Sequence, residues 1–75
     1  MKLLNKDILI EFGFIENNEK TKLDCTVMTK DKMDIVVNNN GSIYYSNMGF
    51  DYPLRDTASL RKIFKEVRSE ELKPL

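Results

Sequence analysis

The chain has 75 residues, twelve basic and twelve acidic side chains, no histidine and one cysteine, and 41% of it is hydrophobic. A chain this short makes one domain over 1–75 and buries only about 60 to 65% of the surface its unfolded form exposes, so its margin of stability is thin. The balanced charge excludes a whole-molecule field that draws in nucleic acid or an anionic membrane, the lone cysteine excludes an internal disulfide, and no segment approaches the roughly 18 apolar residues of a membrane span.

The start, MKLLNKDILIEFGF, carries an apolar run, but Asp7 and Glu11 interrupt it and no small-residue cleavage site follows. It therefore reads as fold rather than leader, and a reducing, cytoplasmic location is the default expectation. Asn5 is placed to cap a short helix, Leu4 and Leu9 stand at the two positions of a hydrophobic staple, and Ile8 and Phe12 share a face. Gly13 ends that helix and lets Phe14 fold back on Leu9. Phe14 and Ile15 suggest a short strand before the polar loop Glu16 to Lys20. From Lys22 to Thr29 the chain alternates, with Leu23, Cys25 and Val27 expected inward and Lys22, Asp24, Thr26 and Met28 outward. After a charged turn at Lys30, Asp31 and Lys32, the residues Met33, Ile35 and Val37 resume the inner face. Asn38, Asn39, Asn40 and Gly41 make a hairpin connection, and Ile43 and Tyr45 continue the core side of the next strand. Asn47 to Pro53 reads as irregular. Leu60, Ile63, Phe64 and Val67 then recur at i, i+3, i+4 and i+7, an amphipathic helix capped by Asp56 or Thr57, with Leu72 extending the packing.

Tight turns between evenly spaced strands require an antiparallel meander, because parallel strands need a crossover of a dozen or so residues. The expected fold is therefore a two-layer α+β domain: a three- or four-stranded antiparallel meander with a short N-terminal helix and a C-terminal amphipathic helix on one face.

Catalysis is poorly supported. Without histidine the chain lacks the usual general base near neutral pH, the commonest zinc ligand, and any Ser-His or Cys-His nucleophile pair. Cys25 reads as a small core residue, Asp31 with Asp34 matches no calcium loop, and Gly41 and Gly49 form no phosphate cradle. The expectation is a non-enzymatic protein with no catalytic residues, cofactor or metal. Asn40-Gly41-Ser42 matches a glycosylation sequon but is accounted for by turn chemistry.

Two surfaces remain. Strand alternation sends Met28, Val36 and Tyr44 to the face opposite the core, and Met48, Phe50 and Tyr52 follow closely enough to extend them into an apolar, aromatic patch of the kind that marks protein partners. Arg61, Lys62, Lys65 and Arg68 form a basic stripe on the second helix, which is either a solvated face or a contact for an acidic partner or a phosphate backbone. Three functional classes follow: a module binding a larger protein through the patch, a small RNA- or DNA-binding protein using the aromatics with the stripe, and a structural homodimer joined through sheet faces or edges.

The run YPLRDTASLRKIFKEVRSEEL, preceded by GSIYYSNMGF, resembles the ending of small uncharacterised proteins of Bacteroidota and their phages and mobile elements. The matching positions are Leu60, Ile63, Phe64, Ser69, Glu71 and Leu72, together with the GFI run near the start, and Ser69 stands where a helix-ending glycine is more usual. The resemblance implies a place among mobile-element products, many of which block a larger host protein. It makes an anti-CRISPR-like inhibitor of a host defence nuclease effector the sharpest form of the first class.

Overall fold

The computed structural model describes residues 3–47 and 49–75. It contains helix α1 (Lys6–Glu11), strands β1 (Ile15–Glu16), β2 (Cys25–Lys30), β3 (Met33–Asn38), β4 (Ile43–Asn47) and β5 (Phe50–Pro53), and helix α2 (Thr57–Arg68). The five strands form one antiparallel sheet in the order β1-β2-β3-β4-β5. The fold is thus the expected α+β meander, with five strands instead of three or four. The additional strand is β5, in the segment read as irregular.

Each end of α1 is set by local chemistry. The Ile8 N–H donates to Asn5 Oδ1 at 2.9 Å, satisfying one of the orphan donors of the first turn. Leu4 and Leu9 are both buried in the core, as the staple requires. At the other end Gly13 adopts φ +94°, the Phe14 N–H donates to Leu9 O at 3.0 Å, and the Gly13 N–H donates to Ile10 O at 2.9 Å. This pair of bonds is the Schellman arrangement, and it throws Phe14 back under the helix layer. A Cβ on residue 13 would stand 2.9 Å from Lys30 Nζ, which would have to move aside, and the positive φ itself favours glycine.

The β2–β3 turn carries positive φ at both Asp31 (50°) and Lys32 (67°), the two-residue geometry that matches strand twist. The β3–β4 turn uses Gly41 at φ +94°, with the Asn38 N–H donating to Ser42 O at 2.8 Å. Helix α2 begins at Asp56, whose Oδ1 accepts from the Ser59 N–H (2.8 Å) and Oγ–H (3.0 Å). It ends at Ser69, which takes the left-handed conformation (φ 57°, ψ 27°) and donates its N–H to Lys65 O.

The core lies between the helices and one sheet face. Leu60 and Phe64 from α2 meet Ile8, Leu9 and Phe12 from α1, Phe14, and the sheet residues Met28, Met33, Ile35, Ile43 and Tyr45, with Leu72 closing one end. Phe14 and Phe64 pack edge to face at 6.5 Å and 77°.

The register corrects the reading of β2. Met28 pairs with Ile35 and Val27 with Val36, and directly opposed residues share a face. Met28 therefore points into the core and is 1% exposed, whereas Val27 and Cys25 lie on the outer face. Cys25 is half-buried there rather than a core residue. The phase differs from that expected because Leu23 belongs to no strand: Lys22 and Cys25 bridge each other around a tight turn, and Leu23 at its tip is fully exposed. Without Leu23, β2 offers Cys25 and Val27 to one face and Met28 to the other, and only pairing with β3 decides between them.

Two measurements test these end geometries. Replacing Ser69 with Gly relieves a left-handed residue that carries a Cβ, and is expected to raise stability by ~0.5–1 kcal/mol, several degrees in Tm. The hydrogen bonds from Ser59 hold the Asp56 carboxyl below its usual value of 3.8. Its contribution is therefore complete above the unfolded value and lost as pH falls through the lower, folded one. From about pH 5 to about pH 2.5 the wild type should lose more stability than Asp56→Asn, which has no proton to take up; parallel acid titrations of the two proteins would contradict this account of the cap.

Candidate functional site

The residues expected to form one patch are divided by the fold. Met28 is in the core. Val36 and Tyr44 do lie on the outer face, paired with each other, but Val36 is only 8% exposed and Tyr44 is half-buried. Met48 lies outside the described residues. Phe50 and Tyr52 belong to the other side of the sheet: Tyr52 pairs with Tyr45 and Phe50 with Asn47, so both follow the core face. They escape burial because β5 is the last strand.

The outer face carries an apolar row, Val27, Val36, Tyr44 and Pro53, beside a polar one that includes Thr29, Asp34, Ser46 and Asp51. Part of it is roofed by the β1–β2 loop. Lys20 Nζ reaches Asp34 Oδ2 at 2.6 Å, and Asn17 Nδ2 donates to Thr29 Oγ1 at 3.3 Å, which carries the loop across β2 to β3. Val27 beneath is 6% exposed. This face offers little free apolar surface.

The layered side offers more. Phe50 is 67% and Tyr52 45% exposed, and Tyr52 is steadied by stacking on Tyr45 at 5.9 Å and 24°. Tyr52, Pro53 and Leu54 form one wall of a groove of about 330 Å³, whose other wall is Ser59, Lys62, Ile63 and Glu66 of α2. Val67, one helical turn beyond Ile63, is also exposed. The seam between β5 and α2 is therefore an apolar and aromatic strip with a cleft beside it. The alternation of Phe50 and Tyr52 around Asp51, directly after Gly49, is the sequence signal by which this strand can be found.

Both sheet edges offer little to a further strand, β1 because it is only two residues long. Because the Leu54 N–H donates to Ile43 O at 2.9 Å, Tyr52 also faces β4, and Asp51 and Pro53 present their backbone to the free edge. Pro53 has no N–H to offer and Asp51 carries a charge. At the opposite side, beyond β1, the Asn17 N–H donates to Val27 O (2.7 Å) and the Val27 N–H donates to Thr21 Oγ1 (3.0 Å), so the β2 edge is satisfied by its own loop.

Arg61 and Lys65 occupy the flank of α2 away from β5, and Lys62 stands between the two flanks. Arg61 sits 5.4 Å over the Phe12 ring, and Arg61, Lys62 and Lys65 line a second groove of about 310 Å³ with Glu71 and Leu72 of the C-terminal segment. Arg68 follows Arg61 at i+7 on the same flank. Only Lys62 touches both grooves.

Of the two candidate carboxylates at the β2–β3 turn, Asp34 is engaged, accepting from Lys20 and from Thr29 Oγ1. Among the described residues no three His, Cys, Asp or Glu side chains converge on a possible metal position. No helix among them is long and apolar enough to cross a membrane. Comparison with protein-family models, curated proteins and solved structures returned no match.

The two exposed rings differ in what they do for the fold. Phe50→Ala should change stability by less than about 0.5 kcal/mol, whereas Tyr52→Ala, which removes the stack on Tyr45, should cost about 1 kcal/mol. Denaturant unfolding of both variants checks the difference.

Proposed function

We propose that this chain is a non-enzymatic protein-binding module that engages a larger partner through the seam between β5 and α2, with Phe50 and Tyr52 as anchors. The observation that carries this reading is Phe50, an aromatic ring 67% exposed on the same face of β5 as Tyr52, which lines a preformed cleft. Aromatic anchors beside clefts lose little conformational entropy on burial and dominate interface energetics. The resemblance to phage and mobile-element products supports a host defence nuclease effector as the partner class, which makes the molecule an anti-CRISPR-like inhibitor that acts by occupying a surface.

The alternatives have less in their favour. A nucleic-acid platform needs rings and several cations side by side, and here only Lys62 shares a groove with Tyr52, while Arg61 and Lys65 line the other one. A homodimer through strand edges has little to build on, since β1 is only two residues long and β5 offers Pro53, which has no N–H, and the charge of Asp51.

Affinity capture from the native host tests the site. The wild type and Tyr44→Ser, altered on the outer face, should retain the same partner, and Phe50→Ser should lose it, since an anchor of this kind contributes about 2 kcal/mol or more. Loss with Tyr44→Ser and retention with Phe50→Ser would return the site to the outer face and overturn the proposal. Light scattering of the free protein should give a mass of 8.8 kDa, not twice that.

A further inference from the structure

The groove on the other flank of α2 is built, not incidental. After Ser69 reverses the chain, Leu72 enters the core at 3% exposure and the Leu75 N–H donates to Glu11 O at 2.8 Å. The wall carrying Glu71 and Leu72 is thus tied to both the core and α1. Facing it, the Arg61 guanidinium is held over the Phe12 ring, so less of its rotamer freedom remains to be lost on binding.

Among the described residues the cations of this wall have no ion-pair partner, and three of them line one groove. The molecule has as many acids as bases, and Glu66, Glu70 and Glu71 are close in sequence. Yet among the described residues the ion pairs are Lys6 with Glu16 and Lys20 with Asp34, and none involves Arg61, Lys62, Lys65 or Arg68. The helix macrodipole accounts for Lys65 and Arg68 in the last turn, but its effect does not extend to Arg61 and Lys62 in the middle. Arg61 and Lys65, at i and i+4, also repel each other by a few tenths of a kcal/mol.

From this concentration of unpaired positive charge around a pinned cleft, we infer that the groove lined by Arg61, Lys62, Lys65, Glu71 and Leu72 docks an acidic segment of a partner protein. The carboxylates of the segment meet the three cations, and an aliphatic side chain lies against Leu72. A peptide fits better than a nucleic acid. Glu71 in the wall repels a continuous phosphate backbone, and the rings that could stack bases are on the far flank. The site is separate from the β5 seam and does not depend on that reading.

The test is fluorescence anisotropy with a labelled hexapeptide of alternating glutamate and leucine, alongside its glutamine analogue and a single-stranded RNA of similar length. The acidic peptide should bind saturably, and about tenfold more weakly when salt is raised from about 50 to about 300 mM. Lys62→Glu/Lys65→Glu, which leaves Arg61 on Phe12, should lose binding by at least about tenfold with its melting temperature retained, while Lys22→Glu, a distant charge reversal, should bind like wild type. Phe50→Ser should also bind normally, which separates this site from the seam. Absence of binding, equal binding of the glutamine peptide, an equal loss with Lys22→Glu, or tighter binding of the RNA would each overturn the inference.

Discussion

The arrangement depends on where one ring is sent. Gly13 reverses the chain at the end of α1, and Phe14, 1% exposed, comes to lie against the sheet and edge-on to Phe64 of α2. Lys30, at the end of β2, closes the junction: its ammonium donates to Phe12 O at 2.6 Å, the carbonyl side of α1 where a cation is favoured, and lies 5.9 Å from the centre of the Phe64 ring. Burying one such ring contributes about 1.5–3 kcal/mol, a sizeable share of the 5–15 kcal/mol that holds a typical domain together. Both helices and one strand end are registered by this contact. The position of α2, and so both grooves beside it, follows from it.

Seen this way the functional surfaces result from incomplete coverage. One twelve-residue helix and one six-residue helix cannot roof five strands, and the strand left beyond the roof is β5. The helix has two flanks of different chemistry: Ser59, Ile63 and Glu66 turn toward β5, and Arg61 and Lys65 turn toward the C-terminal segment. The outer face, which a simple two-layer picture leaves open, is instead narrowed by a loop tied down through Lys20 and Asn17.

Features decided within a few residues were legible in the sequence. The Asn5 cap, the Leu4 and Leu9 staple and the Gly13 reversal each depend on neighbours no more than about two turns away, as does the apolar face of α2, where Leu60 and Phe64 are buried and Ile63 partly so while Val67 is exposed. Ser69 reaches the left-handed region despite its side chain, which the absence of glycine had obscured. What was not legible depends on pairing. The facing of Met28 is decided by Ile35 across the ladder, and the burial of Val27 by a loop that begins ten residues earlier. For the site, Phe50 and Tyr52 were identified as exposed, but the outer face was assigned to them because β5 was not recognised and its register could not be counted.

Pro53 has a consequence for how this surface can be used. Many small sheets recruit partners by offering a ragged border to which any extended polypeptide can be stitched through its main chain, a mode indifferent to sequence and prone to self-assembly. An imino acid and an aspartate at that border remove this option. Whatever docks along β5 is selected by the shape and chemistry of its side chains, so discrimination and resistance to fibril growth derive from the same two residues.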